Sequence, residues 1–262
     1  MKYKQIILFF VVALPTSIAL RLIQLFHIVE ANTGFYKQGL ENWGGYITLI
    51  ILAVALVLAV FSLFSHRSPE KPPKVNLCIG LASGLLASAF AIELYFGFNT
   101  FGTVLWQKIL LYILGIASVL WLTVFSIKDF INIPLPNLTA IIPALFFILK
   151  IICSFAGISS LALISDNVLL ITAYCAVLLF MLQFAKLYNN VGKERGFRKL
   201  LATGLASSVL CFTQSVPNIV FHVASENGYL HTAMVTSFSM FFTGVFIATF
   251  VFTHFSKKNI ER

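Results

Sequence analysis

Two cations stand in stretches that water does not reach. Arg21 lies in the run ALPTSIALRLIQLF, residues 13–26, six residues after Pro15. Lys150 lies in PALFFILKIICSF, seven residues after Pro143. A lone cation at the centre of a membrane helix costs about 2.5–3.5 kcal/mol on insertion scales, so each calls for a partner or a function. Few other groups able to do chemistry accompany them. Glu93 lies about as deep in the third apolar run as Arg21 in the first, and Lys108 opens the fourth. The seventh run carries Thr213-Gln-Ser-Val-Pro-Asn218. Pro217 cannot donate a helical hydrogen bond and frees a carbonyl near Thr213. Gln214 and Asn218, one turn apart, can both donate and accept there.

These residues describe a polar cavity in the outer half of a membrane. Arg21 and Lys150 would face its axis, with Glu93 neutralising one of them. The other cation would meet an anionic or zwitterionic small molecule or a lipid head group. The ligand-binding candidates are therefore Arg21, Glu93, Lys108, Lys150, Gln214 and Asn218. The same residues have a structural reading. Arg21 and Lys108 can snorkel to the surface, and Arg21 can pair with Glu93 to set helix register.

A third class, a membrane enzyme or a metal or haem protein, would use His27, His222 and His231 at the outer surface. It needs the three within about 5 Å of a common point. Histidines at span ends are mostly interfacial, so no metal and no cofactor is assigned. HExxH, GxSxG, Walker and dinucleotide motifs are missing, which argues against an enzyme. Leu81-Ala-Ser-Gly84 matches the GxSG context of rhomboid-like proteases only in part, and no histidine sits inside a span. The four cysteines form no CxxC pair and read as small apolar fillers.

The elements that position these groups are membrane helices. Hydrophobic residues make up 59% of the 262, and charged residues only 10%. A soluble domain would carry about 25% charge. Apolar runs near 20 residues recur along the chain, as spans require. The sequence reads as an all-α polytopic membrane protein with eight transmembrane helices at 5–27, 44–65, 76–96, 103–126, 138–160, 167–187, 200–223 and 230–254.

With the N-terminus in the cytoplasm, fourteen Lys and Arg fall in inner segments and only Lys37 in an outer one. That bias obeys the positive-inside rule and places both termini in the cytoplasm. It also explains the net charge of +9 without nucleic acid. Partners are instead the lipid bilayer, an anionic small molecule or lipid, and a membrane protein or second copy of the chain. Short loops and modest size suit a bacterial cytoplasmic membrane.

Gly80-Leu-Ala-Ser-Gly-Leu-Leu86 resembles Gly204-Leu-Ala-Ser-Ser-Val-Leu210 at an offset of 124. The same offset superposes the basic loops at Lys71 and Arg195. Two parallel four-helix repeats follow, 1–130 and 131–262, within one membrane domain. Shared composition and close packing through small residues explain the likeness equally well. Two function classes follow. One is a transporter-like or ligand-binding protein, for which Arg21, Glu93, Lys150 and Gln214 converge on one cavity. The other is a non-transporting sensor, immunity or assembly subunit, for which they meet one another in dry contact.

Overall fold

A chain in lipid must satisfy its backbone hydrogen bonds internally, and apolar runs of this length do so as helices. The computed structural model describes residues 3–30, 35–64, 76–96, 105–131, 135–157, 164–189, 191, 193–225 and 234–256. It contains α1 (Tyr3–Ile23), α2 (Glu41–Leu63), α3 (Leu77–Phe96), α4 (Leu105–Ile131), α5 (Ile142–Gly157), α6 (Ile164–Tyr188), α7 (Lys193–Ala224) and α8 (Met234–Ser256). All eight are long and apolar enough to cross a membrane, the fifth when the turn that precedes it is counted with it. A π-helical turn, Gln24–Ile28, continues α1, and a 3-10 turn, Asn137–Ile141, leads into α5.

Six of the helices pack in a ring. Their contacts run α3 to α4, α5, α6, α7, α8 and back to α3. Helices α1 and α2 lie outside the ring against α7. This arrangement makes α7 the most enclosed helix, with 83% of its membrane-crossing window buried against 28% for α1 and α2. It is also the least hydropathic of the eight. The two facts are one: Ser207, Ser208, Thr213, Gln214, Ser215 and Asn218 are all buried against other helices, where lipid never meets them. The exposed apolar side chains lie instead on helices such as α2 and α4, whose outer faces carry Leu49, Leu56, Ile113 and Leu120.

Aromatic side chains fill much of the ring. Trp121 stacks on Phe125 with centroids 5.0 Å apart, and Phe184 meets both rings edge-on. Phe246 and Phe250 of α8 close on Phe184. Such pairs add about 0.5–1.5 kcal/mol each beyond the area that they bury.

At one end, two helices run five residues or more further than the apolar pattern predicts. The fourth was expected to stop at 126 but continues to Ile131. Its extension docks on the end of α6, where Lys128 Nζ donates to Tyr188 Oη at 3.0 Å and lies 4.4 Å from that ring's centroid. The seventh was expected from 200 but begins at Lys193. The basic segment is therefore helical, and it anchors through Phe197 and Leu200, both buried. Hydropathy marks where a helix leaves the apolar layer, not where its hydrogen bonds end.

The glycines of the two similar stretches meet different neighbours. A Cβ on Gly80 would lie 2.7 Å from the Ser126 carbonyl oxygen of α4. One on Gly204 would lie 2.7 Å from Val251 of α8 and 3.2 Å from Phe180 of α6. Both absences of a side chain permit close helix approach.

Candidate functional site

Arg21 lies in the last turn of α1, and Asp166 in the first turn of α6. Asp166 sits at the helix end whose dipole favours its charge. The two meet directly, Arg21 Nη2 donating to Asp166 Oδ1 at 2.7 Å. Arg21 is fully buried and Asp166 is 3% exposed. The same carboxylate oxygen accepts from Gln214 Nε2 at 2.7 Å and from Asn218 Nδ2 at 3.2 Å. Gln214 and Asn218 reach it together because they are one turn apart on α7.

The π turn places the next group. It wraps the chain one residue wider than an α-helix, and such turns recur at functional sites. Here it begins at Gln24, whose Oε1 accepts from Arg21 Nη1 at 2.6 Å. Gln24 Nε2 shares its two hydrogens among Gly44 O at 2.8 Å, Thr48 Oγ1 at 3.0 Å and Tyr36 Oη at 3.2 Å. Tyr36 comes back over the site because it forms an antiparallel bridge with Val29, in which Glu30 N–H donates to Phe35 O and Lys37 N–H to Ile28 O. Its ring lies against Gly44, where any side chain would collide with it. Glutamine 24 thus ties the guanidinium on α1 to α2.

Buried atoms on these stretches of α1 and α7 that have no hydrogen-bond partner among the described residues include Ser17 Oγ and Arg21 Nε on α1, and Thr213 Oγ1 and Asn218 Oδ1 on α7. An unsatisfied buried polar atom costs about 1–3 kcal/mol. Pro217 adds to the polarity of this part of α7, because the helix passes through it and the Thr213 carbonyl has no proline N–H to accept from.

The second buried pair lies inside the ring. Lys150 Nζ of α5 donates to Glu93 Oε2 of α3 at 2.6 Å, and each side chain is 1% exposed. Four aromatic rings surround the ammonium. Their centroids lie 5.1 Å (Phe90), 5.0 Å (Phe146), 5.6 Å (Phe147) and 5.3 Å (Tyr174) from Nζ. All are within the range in which a ring face attracts a cation.

The expected site residues therefore separate. Arg21, Gln214 and Asn218 converge, but on Asp166. Glu93 pairs with Lys150, so the expected Arg21–Glu93 pair is not formed. Neither cation is left over: each has its own carboxylate, which corrects the expectation that one of them would be unneutralised. Arg21 does not snorkel, being held inward by Asp166. Lys108 is half-buried near the start of α4 and joins neither pair. His27 is exposed, His222 is half-buried, and His231 lies outside the described residues. Among the described residues no three His, Cys, Asp or Glu side chains are grouped to hold a metal.

Sequence reasoning places Asp166 at an outer span end without assigning it to the site, and it misses Gln24 and the aromatic box. Asp166 had a signal. It is one of only nine acidic residues and stands directly before a long apolar run. Gln24 had a weaker one, its place three residues after Arg21 on the same helical face.

No family model, no curated protein and no solved structure matches the chain. The eight helices are those of an integral multi-pass membrane protein.

Proposed function

We propose that the protein binds, and carries across its membrane, a small molecule with an anionic group, with Arg21 as the anion-binding residue. The observation that carries this reading is the cluster at the junction of α1, α6 and α7. A fully buried guanidinium is held there by Asp166, while Arg21 Nε, Thr213 Oγ1 and Asn218 Oδ1 have no partner among the described residues. A purely structural ion pair gains most when every donor and acceptor is satisfied.

Asp166 acts in this reading as the internal counterion of a closed state. An incoming carboxylate or phosphate replaces it on Arg21, and Arg21 Nε supplies a further donor. Asp166 then keeps its two amide donors, Gln214 and Asn218, and is not left bare. The π turn beside Arg21 and the proline in α7 are irregularities of the kind that transporter sites use to present polar groups. In this reading the membrane is a bacterial cytoplasmic one and this end of the bundle faces its outer side, an orientation that the positive-inside bias supports.

One observation favours a non-transporting reading, that of a sensor or assembly subunit. Lys150 and Glu93 meet each other in dry contact inside the ring. A pair of that kind fixes which helices associate and leaves the bundle to act through contacts with a partner protein.

Thermal stabilisation of the purified protein, screened over inorganic anions, amino acids and soluble lipid head groups, separates the two. Binding to the folded state must raise its apparent stability. A ligand that stabilises the parent and not Arg21→Ala supports the anion site. If no anion stabilises the parent and Arg21→Ala simply melts earlier, the anion site is refuted and partner capture in the membrane becomes the test of the other reading.

A further inference from the structure

The interior of the six-helix ring holds a second, separate constellation. It is made of one carboxylate and four aromatic faces, drawn from α3 (Phe90, Glu93), α5 (Phe146, Phe147) and α6 (Tyr174). Every one of these side chains is at least 98% buried. Rings disposed around a cation and backed by a carboxylate form the chemistry that recognises alkylammonium groups. Here the cation is the chain's own Lys150.

Two features set this box apart from a pair that only locks helices. Among the described residues Lys150 makes one hydrogen bond, to Glu93, although an ammonium has three donors. The rest of its stabilisation comes from ring faces, which do not distinguish a lysine from another ammonium. Glu93 Oε1, moreover, is buried with no hydrogen-bond partner among the described residues. The carboxylate thus has an acceptor in reserve for a second N–H group. Lys150 reaches the box on a flexible four-carbon stem, so its head can leave with little movement of α5.

We propose that the box formed by Glu93, Phe90, Phe146, Phe147 and Tyr174 is a binding site for a small alkylammonium ligand, and that Lys150 is its internal competitor. The ammonium exchanges with Lys150 on Glu93 Oε2 and is held further by Oε1 and the four rings. No bond is made or broken. The ammonium belongs to a free amine or to an aminolipid head group. This site is distinct from the Arg21 cluster and does not depend on it.

The test uses the full chain in detergent, in amine-free buffer at constant ionic strength. Propylammonium and tetramethylammonium chloride are titrated against sodium and potassium chloride, with melting temperature as the readout. Nanodiscs of phosphatidylglycerol, with and without phosphatidylethanolamine, form a second arm that separates a head-group source from a free amine. A saturable rise with either organic cation source, absent with sodium and potassium, is expected. It should vanish in Glu93→Gln. Phe146→Leu removes one ring and should weaken the apparent affinity on the order of 10-fold. Lys150→Ala removes the competitor and should tighten it. If Lys150→Ala does not fold, Glu93→Gln and Phe146→Leu still decide the question. No saturable rise in the parent with either source, or an equal rise in Glu93→Gln, overturns the proposal. Stabilisation by anions alone would leave the Arg21 site standing and sink this one.

Discussion

The Arg21–Asp166 pair gives the sharpest test, because its two halves are not equally supported. Asp166→Ala leaves a fully buried guanidinium with Gln24 as its remaining acceptor, and it strips the amides of Gln214 and Asn218 of their common partner. Arg21→Ala leaves Asp166 still accepting from both amides. Two unit charges about 4 Å apart attract by about 4 kcal/mol at an effective dielectric near 20. Removing one partner of a buried pair costs about 3–5 kcal/mol. Asp166→Ala should therefore lie at the upper end, about 4–5 kcal/mol, and Arg21→Ala at the lower, about 3 kcal/mol. The double variant removes both charges and should cost no more than Asp166→Ala alone. Equilibrium unfolding in mixed micelles, with denaturing detergent as the perturbant, measures all four proteins of the cycle. Additive losses, within about 0.5 kcal/mol, would refute the direct pairing. So would a larger loss for Arg21→Ala than for Asp166→Ala.

Further expectations concern the rest of the bundle. Glu93→Met should destabilise more than the double variant Glu93→Met, Lys150→Met, because an apolar replacement of a whole buried pair is often close to neutral; the same unfolding assay orders them. Gly44→Ala should cost about 1–3 kcal/mol through overpacking against the Tyr36 ring, and Tyr36→Ala should relieve most of that loss in the combined variant. Gly115→Ala should be destabilising for a similar reason, since a Cβ there would lie 2.6 Å from Leu94, and thermal melting reads it. A fluorescent protein that matures only in the cytoplasm should be bright when fused after Arg262, whereas a phosphatase active only outside should be inactive there; the reverse result would overturn the topology drawn from the basic residues.

The class of this protein and its eight helices are legible in the sequence, and so is the need of Arg21 and Lys150 for a compensating group. The reason is local and physical. Lipid offers no hydrogen bonds to a backbone, so an apolar run of the right length has to be a helix. Lipid also solvates no charge, so a cation in such a run announces that something compensates it. The polar character of α7 was likewise visible as Thr213, Gln214 and Asn218. What that polarity implied, a central position enclosed by α1, α2, α6 and α8, followed only from the packing.

The pairing itself belongs to the tertiary structure. Arg21 and Asp166 are 145 residues apart, and Lys150 and Glu93 are 57 apart. Hydropathy is blind to which face of a helix a charged residue occupies and to which helix lies opposite. Two cations and several scattered acids permit more than one matching, and the packing of the helices selects one. The aromatic box was hidden for the same reason. Phe146 and Phe147 read as ordinary apolar filling of a span. They become a cation site only because α3 and α6 bring Phe90, Glu93 and Tyr174 to the same ammonium.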